Sequence, residues 1–296
     1  MTVYYHPDYV AAAHVFTTTR KPAWMHDNLT ARPLPGLTWA EPAPVTVDQL
    51  SIAHTGDYIE AVRTGRPPNL AGSNGFPWDR GIWTAATRSV GGVVAAALEA
   101  YRSRRNTGSL SSGLHHARRA QGSAFCTFNG LALAAHAALA DGAQRVLILD
   151  LDAHGGGGTR NIIAGESRIL HVDIATNTFD RYTATAPSTY NYIRTAERYL
   201  PLISQRLEEA WQHGDIDLCL YNAGVDSHEN DPGGGLTGIT TKLLRKRESL
   251  VFNWARTHGI PVTFVLAGGY PGQGHDQATV VALHHQTVQA ALTPAS

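Results

Sequence analysis

The 296-residue chain has little of what marks extracellular, membrane-bound or nucleic-acid-binding proteins. Its only two cysteines, Cys126 and Cys219, lie in apolar segments, which suits reduced thiols in a cytoplasm better than a disulfide framework. Basic and acidic residues balance at 24 each without a basic block, which argues against nucleic-acid and anionic-membrane partners. No apolar run reaches the roughly 18 residues of a membrane span, and no signal peptide is evident. A cytoplasmic protein is expected.

Histidine, by contrast, is abundant, with 15 in a chain of otherwise ordinary composition. So many histidines weakly favour metal or acid–base chemistry, although most are expected at the surface or at helix ends. The densest basic spots, Arg118–Arg119 and Lys242–Arg247, are interpreted as solvated faces. Because α/β folds with one large sheet often reach this length undivided, we expect one domain spanning residues 1–296.

Apolar runs alternate with helical patterns along the chain. The runs end in Gly, Asn or Asp and are typical of strands covered on both faces: 109–113, 145–152, 168–174, 217–226 and 261–269. The helical patterns are 83–105, 128–142, 196–214, 240–259 and 277–292. This alternation predicts the α/β class, as a three-layer α/β/α sandwich with a central, mostly parallel sheet. Residues 16–48 and 64–80 are expected to be long loops.

Polar side chains follow several predicted strands, at the carboxyl ends where such sheets bind ligands. Asp150, Asp152 and His154 end one run, and Asp226 ends another. Asp152 and His154 are two residues apart and therefore point to the same side. Two carboxylates and one imidazole are enough to hold a divalent ion with an open position, as a catalytic site requires. Alternatively, Asp152 only caps a helix and His154 is a loop residue.

The four glycines Gly155–Gly158 that follow could instead form a phosphate-binding loop. Phosphate loops of the Walker type need a lysine after the last glycine, and dinucleotide-binding folds need G-x-G-x-x-G after the first strand. No lysine follows Gly158, and the acidic side chains that precede the glycines would repel phosphate. The glycines are therefore interpreted as the loop behind a metal site.

Four segments carry a family resemblance: SGLHHARRAQGSAFCTFNGLALAA (112–135), VLILDLDAHGGGGT (146–159), NAGVDSHENDPGGGL (222–236) and LAGGYPG (266–272). In order and spacing they resemble the signature segments of the histone deacetylase family of zinc amidohydrolases. The segments HPDY, HTGDYIEAV and GFPWDRGIWTAATRSVGG extend the likeness over almost the whole chain. The DLDAH segment, and Asp173 where many relatives have serine, are most similar to the class IV branch and its bacterial relatives.

The resemblance implies the arginase-deacetylase fold and one Zn²⁺ per chain. The zinc ligands that it implies are Asp152, His154 and Asp226. Asp150 matches the carboxylate that supports the first of two active-site histidines. The resemblance also implies a structural potassium ion, K⁺, near Asp150 and Asp173.

The same resemblance assigns catalytic roles. His115 and His116 match the tandem histidine pair, and Tyr270 matches the tyrosine that hydrogen-bonds the substrate carbonyl. His116 would take the proton from a water molecule activated by the metal and return it to the leaving amine, while Tyr270 supports the oxyanion. The alternatives are that the histidines only pack or begin a helix, and that Tyr270 is a core aromatic.

Three further residues are tentative parts of a substrate tunnel. Gly268 and Gly269 would let the backbone bring the Tyr270 ring into a cleft. Phe125 is either a core residue or one wall of a tunnel for an acyl-lysine-like group. The residue before it, Ala124, is not claimed for the tunnel.

The chain departs from the family pattern at two places. Most relatives have H-[HQ]-G-[ND]-G, whereas here Gly157 replaces the Asn or Asp that would brace the second histidine, so His116 is expected to lack a side-chain acceptor. Residues 76–78 occupy the region where many relatives have an aspartate that anchors peptide backbone. A small acylated amine is therefore as plausible a substrate as a protein.

The sequence thus predicts a zinc-dependent deacylase that acts on an N-acylated amine. One alternative is a non-catalytic, metal-containing module that binds an acyl ligand, although the complete set of two histidines and a tyrosine favours an enzyme. A ureohydrolase with two manganese ions would require a carboxylate two residues after His154, where Gly156 stands; His228, the one candidate for a second-metal ligand, is interpreted as a loop residue. The acyl chain length, the amine and the oligomeric state stay open.

Overall fold

The computed structural model describes residues 1–12 and 16–293. Eight strands form one sheet in the order β2-β1-β3-β8-β7-β4-β5-β6, and every pairing between them is parallel. The strands are β1 (Thr2–Tyr4), β2 (Thr38–Ala40), β3 (Thr107–Ser109), β4 (Val146–Asp150), β5 (Ile169–Ala175), β6 (Thr189–Tyr192), β7 (Leu218–Asn222) and β8 (Val262–Val265). The predicted α/β class is confirmed.

Ten α-helices connect and cover these strands in the described part of the chain. They are α1 (Lys21–Ala31), α2 (Val47–Ala53), α3 (Gly56–Thr64), α4 (Pro68–Ala71), α5 (Arg80–Ser103), α6 (Gly130–Ala140), α7 (Gly157–Ile163), α8 (Tyr199–Gln212), α9 (Thr241–Thr257) and α10 (Gln277–Leu292). None of the helices within residues 1–12 and 16–293 is long and apolar enough to cross a membrane.

Alternate side chains of the central strands enter two separate cores. In β4, Leu147 and Leu149 join the core that α1, α8, α9 and α10 cover, whereas Val146 and Ile148 join the core beneath α5 and α6. Because successive side chains of a strand point to opposite faces, a strand buried on both faces must be apolar throughout. The sheet therefore lies between two helical layers, which is the predicted sandwich.

The prediction that residues 16–48 form a loop is wrong. Helix α1 begins at Lys21 with Pro22 in its first turn, where the missing N–H of proline is not needed, and it buries Met25 and Leu29 one turn apart. The segment also contains the short edge strand β2. Residues 64–80 contain only the single-turn helix α4 before α5 begins.

Candidate active site

Two adjacent strands bring the three predicted metal ligands together. Asp150, the last residue of β4, lies in register with Asn222, the last residue of β7, so the segments that follow leave the sheet at the same level. His154 Nδ1 lies 3.1 Å from Asp152 Oδ1 and 3.1 Å from Asp226 Oδ2. One ligand atom from each of these three residues lies within 4.8 Å of the other two.

The hydrogen bonds around these side chains fit a metal ion. His154 Nε2 donates to the Gly233 carbonyl at 3.0 Å, which leaves Nδ1 directed at the two carboxylates. Asp152 Oδ2 accepts from the Gly268 N–H at 2.6 Å, whereas Asp226 Oδ2 is buried and makes no hydrogen bond to any described residue. A Cβ on Gly268 would lie 1.9 Å from Asp226 Oδ2, so only glycine lets the backbone approach the ligands this closely.

The electrostatics of this group favour a positive charge at its centre. Burial raises the pKa of Asp226, and the charge of Asp152 raises it further. Burial alone would lower the pKa of His154, but its contacts with Asp152 and Asp226 outweigh burial and raise that pKa to about 11. Two buried carboxylates this close to each other require a counter-charge, which a divalent cation supplies.

His115 is paired with Asp150 beside the ligands. Its Nδ1 donates to Asp150 Oδ2 at 2.7 Å, and Asn222 Nδ2 donates to Asp150 Oδ1 at 2.8 Å. Burial opposes a charge on His115, but the carboxylates of Asp150 and Asp152 prevail and raise its pKa to about 10. His115 is therefore a cation at neutral pH.

His116 does have a side-chain acceptor, and the prediction that Gly157 leaves it without one is wrong. The acceptor is Asp180, whose Oδ2 lies 2.9 Å from His116 Nδ1 and whose Oδ1 accepts a hydrogen bond from Arg118. Burial and the positive charge of His115 lower the pKa of His116 to about 4, against the opposing effect of Asp180. His116 is thus neutral at pH 7, and donation from Nδ1 leaves its Nε2 free to accept a proton.

The glycine at position 157 makes room for this different brace. A Cβ on Gly157 would lie 2.4 Å from Asp180 Oδ1, which no real contact allows. Asp180 itself has a left-handed backbone, with φ of 53°, a conformation that aspartate adopts more readily than most residues. Arg118 also donates to the Gly157 carbonyl at 3.3 Å, so it is not the solvated residue that the sequence suggested.

Tyr270 lies on the loop after β8, next to the ligands. Its N–H donates to Asp231 Oδ2 at 2.8 Å, and its ring centroid is 6.4 Å from that of His154. The preceding Gly269 has φ of 155°, which few other residues adopt. Burial and the charges of Asp226 and Asp152 raise the pKa of Tyr270 well above its usual range, so its hydroxyl keeps its proton and can donate it in a hydrogen bond.

An aromatic rim surrounds the entrance to the site. Phe125 is 43% exposed and Phe179 is 48% exposed, whereas large apolar side chains are usually buried. Phe125 packs against Phe16 and Phe76, with ring centroids 4.5 and 5.0 Å apart, and Phe179 lies edge-on to His116 at 5.1 Å. Phe125 is therefore a wall of the entrance rather than a core residue, and Phe179 is a second exposed ring, beside His116, that the sequence did not reveal.

A tight turn holds Phe125 at this entrance. Ser123 and Cys126 exchange backbone hydrogen bonds of 3.1 and 2.8 Å, and the two residues between them, Ala124 and Phe125, both have a left-handed backbone, with φ of 43° and 66°. Such a conformation is uncommon outside glycine, and the Phe125 N–H supports it by donating to the Asn74 carbonyl at 2.6 Å. Because of this turn, Ala124 also lines the cavity beside Phe125. No role in the tunnel was predicted for Ala124.

The entrance leads into a cavity of about 1040 Å³, including its open mouth. Its lining continues past His115, His116 and Tyr270 to Lys21 and to Ala85 and other small residues of α5. Lys21 is buried and donates from Nζ to the Ala267 carbonyl. Burial lowers the pKa of Lys21 to about 8, although Asp226 and Asp152 act in the opposite direction.

A buried arginine fixes the two segments that carry the ligands. Arg247 is fully buried, and its Nη1 donates to the Gly224 carbonyl at 2.6 Å and to the Leu151 carbonyl at 3.4 Å. Its other nitrogens pair with Glu248. The interpretation of residues 242–247 as a solvated face is therefore wrong for Arg247, because α9 turns this side chain towards the sheet.

Two other histidines differ in what their ring nitrogens contact. In His228, Nε2 lies 3.0 Å from Thr241 Oγ1 and Nδ1 accepts from the Asn230 N–H, so both nitrogens already have protein partners, as expected of a loop residue. His171 instead forms a second candidate metal-binding group with Asp150 and Asp173. The family resemblance points to both aspartates but not to His171.

Comparisons with known proteins agree with this fold and identify a family. Residues 14–286 match the histone deacetylase domain. The chain is 30% identical over 257 residues to an uncharacterized protein of Picosynechococcus sp., covering 81% of each chain. It is 28% identical over 232 residues to acetylpolyamine amidohydrolase 2 of Pseudomonas aeruginosa, covering 71% of this chain and 66% of that one.

The fold is also that of a solved relative. The structure of acetylpolyamine aminohydrolase from Burkholderia pseudomallei superimposes with a TM-score of 0.79 at 19% identity, covering 98% of each chain. This likeness identifies the sandwich as the arginase-deacetylase fold. Since the family match extends over most of the sequence, the chain belongs to the histone deacetylase family of amide hydrolases.

Proposed function

We propose that the protein is a zinc-dependent deacylase that removes an acyl group from an N-acylated amine. One observation carries the proposal: a neutral histidine braced by a carboxylate, a protonated tyrosine and Asp152 all border the same cavity, and Asp152 belongs to a set of three side chains that can hold a metal ion. A general base, an oxyanion donor and a Lewis-acid site are the three groups that metal-assisted amide hydrolysis uses.

We propose that Asp152, His154 and Asp226 hold one Zn²⁺. When bound, zinc polarises the acyl carbonyl and lowers the pKa of water towards neutrality. Imidazole and carboxylate ligands suit this ion, and a set of three protein ligands leaves a position for substrate. Asp150 does not join this set but holds His115 in place.

The histidines and the tyrosine then have separate roles in the reaction. His116 Nε2 takes a proton from the attacking water and later delivers it to the leaving amine nitrogen, while Asp180 stabilises the imidazolium that forms in between. The Tyr270 hydroxyl donates a hydrogen bond to the carbonyl oxygen as negative charge develops there. His115, whose charged form Asp150 favours, stabilises the same charge.

The proposed substrate is a small acylated amine or an acyl-lysine-like group. Support comes from the aromatic entrance formed by Phe125 with Phe16 and Phe76, which suits an apolar stem, and from the relatives named for acetylpolyamines. Gly268 and Gly269 shape the inner end of this entrance. We place the activity in one domain spanning residues 1–296 and in the cytoplasm; the oligomeric state stays open.

The alternative of a non-catalytic acyl-binding module rested on the loss of the histidine brace. Because Asp180 supplies that brace, the argument for lost turnover no longer holds. The ureohydrolase alternative is also disfavoured, since Gly156 offers no carboxylate and both ring nitrogens of His228 have other partners.

A substrate panel tests the proposal. The zinc-loaded protein is incubated with acetyl, propionyl and long-chain acyl amines, free and peptide-linked, and the released carboxylate is measured. Hydrolysis of at least one class is expected from the wild type, and hydrolysis slower by about 10²-fold or more from His116→Ala with unchanged metal content. Ligand binding without hydrolysis across the panel would favour the binding module.

A further inference from the structure

A second group of metal-binding side chains lies behind the first. Asp150 ends β4, and His171 and Asp173 lie two residues apart on the neighbouring strand β5, so all three point to the same region. His171 Nε2 is 3.9 Å from Asp150 Oδ2 and 4.0 Å from Asp173 Oδ2. Every one of these side chains is 0% exposed, which makes the group more deeply buried than the catalytic ligands.

His171 directs an unpartnered nitrogen at the two carboxylates. Its Nδ1 lies 3.1 Å from the Tyr182 hydroxyl, and the two rings stack at 5.8 Å. When Nδ1 donates to Tyr182, the lone pair of Nε2 faces Asp150 and Asp173. No described residue is hydrogen-bonded to this Nε2 or to Asp173 Oδ1, although buried polar atoms seldom lack a partner.

The backbone beside the group keeps this space open. The Gly156 N–H donates to Asp173 Oδ2 at 2.7 Å. A Cβ on Gly156 would lie 2.7 Å from Asp150 Oδ2 and 3.2 Å from His171 Cε1, so a side chain here would enter the space between the ligand atoms. Gly156 therefore does more than extend the loop after His154.

The kind of donor atom selects the kind of ion. Alkali and alkaline-earth ions prefer sites made only of oxygen, whereas a neutral imidazole nitrogen suits zinc and other first-row divalent ions. The potassium ion that the family resemblance implies near Asp150 and Asp173 would gain little from His171. Two carboxylates with one imidazole repeat the donor set of Asp152, His154 and Asp226.

We propose that Asp150, His171 and Asp173 form a second site, which binds a divalent transition-metal ion through His171 Nε2 and the two carboxylates. Asp150 belongs to this site and also accepts the hydrogen bond from His115, so the second ion and the active-site histidine share one carboxylate. The inference does not depend on which reaction the protein catalyses.

The test counts metal in a chain whose catalytic ligands are disabled. Asp226→Ala removes one ligand of the proposed catalytic zinc and leaves the second group intact. After dialysis against Zn²⁺ or Co²⁺, elemental analysis should find two equivalents in the wild type, one in Asp226→Ala and none in Asp226→Ala/His171→Leu. The Co²⁺ form of Asp226→Ala should also show visible absorption that differs from that of hexaaqua Co²⁺ and that is absent from Asp226→Ala/His171→Leu.

Controls separate loss of metal from loss of fold. His284 is another fully buried histidine without a hydrogen-bond partner in the described residues, so Asp226→Ala/His284→Leu should keep its one equivalent. If His171→Leu does not fold, Tyr182→Phe serves instead, because it removes only the partner of Nδ1 and should weaken Co²⁺ binding about 10-fold or more.

Two outcomes would overturn the inference. One is that Asp226→Ala binds no divalent ion; the other is that its only bound cation is potassium, seen as a melting temperature that rises in KCl over choline chloride while Co²⁺ has no effect. The proposed function fails separately, if the wild type and Asp226→Ala hold the same number of equivalents.

Discussion

Asp180 occupies the space that a side chain at position 157 would need. A Cβ on Gly157 would lie 2.4 Å from Asp180 Oδ1, while Asp180 Oδ2 lies 2.9 Å from His116 Nδ1. A glycine at the start of α7 and an aspartate in the loop after β5 thus form one compensating pair. The brace is retained but comes from a different segment.

Removal of this brace should lower turnover without abolishing it. In Asp180→Ala, His116 keeps its place between His115 and Phe179 but loses the group that orients Nδ1–H and stabilises the imidazolium. We expect kcat to fall by roughly 10- to 100-fold, less than the ~10²- to 10⁴-fold loss from removing a general base itself. Steady-state kinetics on Asp180→Ala and His116→Ala, with equal metal content, measure the difference. Equal losses would mean that Asp180 has a wider structural role.

Moving the side chain that braces His116 from position 180 to position 157 should restore part of the activity that each single substitution loses. Gly157→Asn alone should lower kcat, because the new side chain collides with the Asp180 carboxylate. In Gly157→Asn/Asp180→Gly the collision is absent and the amide oxygen can accept from His116. We expect the double variant to be more active than either single variant. A double-mutant cycle in which the two losses simply add would refute the compensation.

The pH dependence of kcat/KM should reflect the low pKa of His116. Activity requires neutral His116 and falls as the pH drops through its pKa, which burial and the charge of His115 lower to about 4. The acidic limb should therefore lie below the usual histidine value of about 6.5. Because the Asp180 carboxylate raises this pKa, Asp180→Asn should shift the limb to still lower pH. A shift to higher pH would contradict the assigned base.

Tyr270→Phe should reduce kcat by about 10²-fold or more while metal content stays unchanged, the loss expected for one oxyanion donor. The substitution deletes only the hydroxyl, and the Tyr270 N–H keeps its bond to Asp231. Stopped assays with elemental analysis of the same samples check both parts. Unaltered turnover would show that Tyr270 is merely structural.

Arg247 should affect metal affinity through the backbone. Its loss frees the Gly224 and Leu151 carbonyls, each at most two residues from a proposed zinc ligand. A single substitution would leave Glu248 buried and unpaired, so the informative variant is Arg247→Met/Glu248→Leu, which removes both charges. We expect zinc to be lost to a chelator about 10-fold or more faster at little cost in melting temperature.

The control is Arg206→Met/Glu209→Leu, which removes a more exposed arginine–glutamate pair from α8. This variant should keep the wild-type rate of zinc loss. If both double variants lose zinc at the wild-type rate, the contacts of Arg247 serve stability alone.

The parts of the fold that the sequence predicted are those with the strongest local patterns. Strands β4, β5, β7 and β8 are continuous apolar runs because both of their faces are buried. The edge strands β2 and β6 are short and partly exposed, so no apolar run marks them. Helix α1 was missed because a proline in its first turn resembles a loop signal.

In the site, too, the residues with a local sequence pattern were predicted and those without one were not. Proposed ligands such as Asp152 and His154 lie two residues apart and follow a strand, so their spacing predicts a metal site. Asp180 and Arg247 act through contacts across 64 and 96 residues of sequence, which no local spacing encodes. His171 did leave a signal, a histidine two residues before Asp173 in a strand that is apolar elsewhere, and this spacing would have pointed to the second group of ligands.

The contacts of Thr18 and Lys21 also bear on the order in which the molecule folds. Lys21 Nζ binds the Ala267 carbonyl and Thr18 Oγ1 binds the Gly269 carbonyl at 2.5 Å, across 246 and 251 residues of sequence. Contacts between such distant residues form late, because closing a long loop lowers the entropy of the chain before the new contact stabilises it. During synthesis, the segment around Lys21 can therefore close the back of the cavity only after Ala267 and Gly269 have been synthesised.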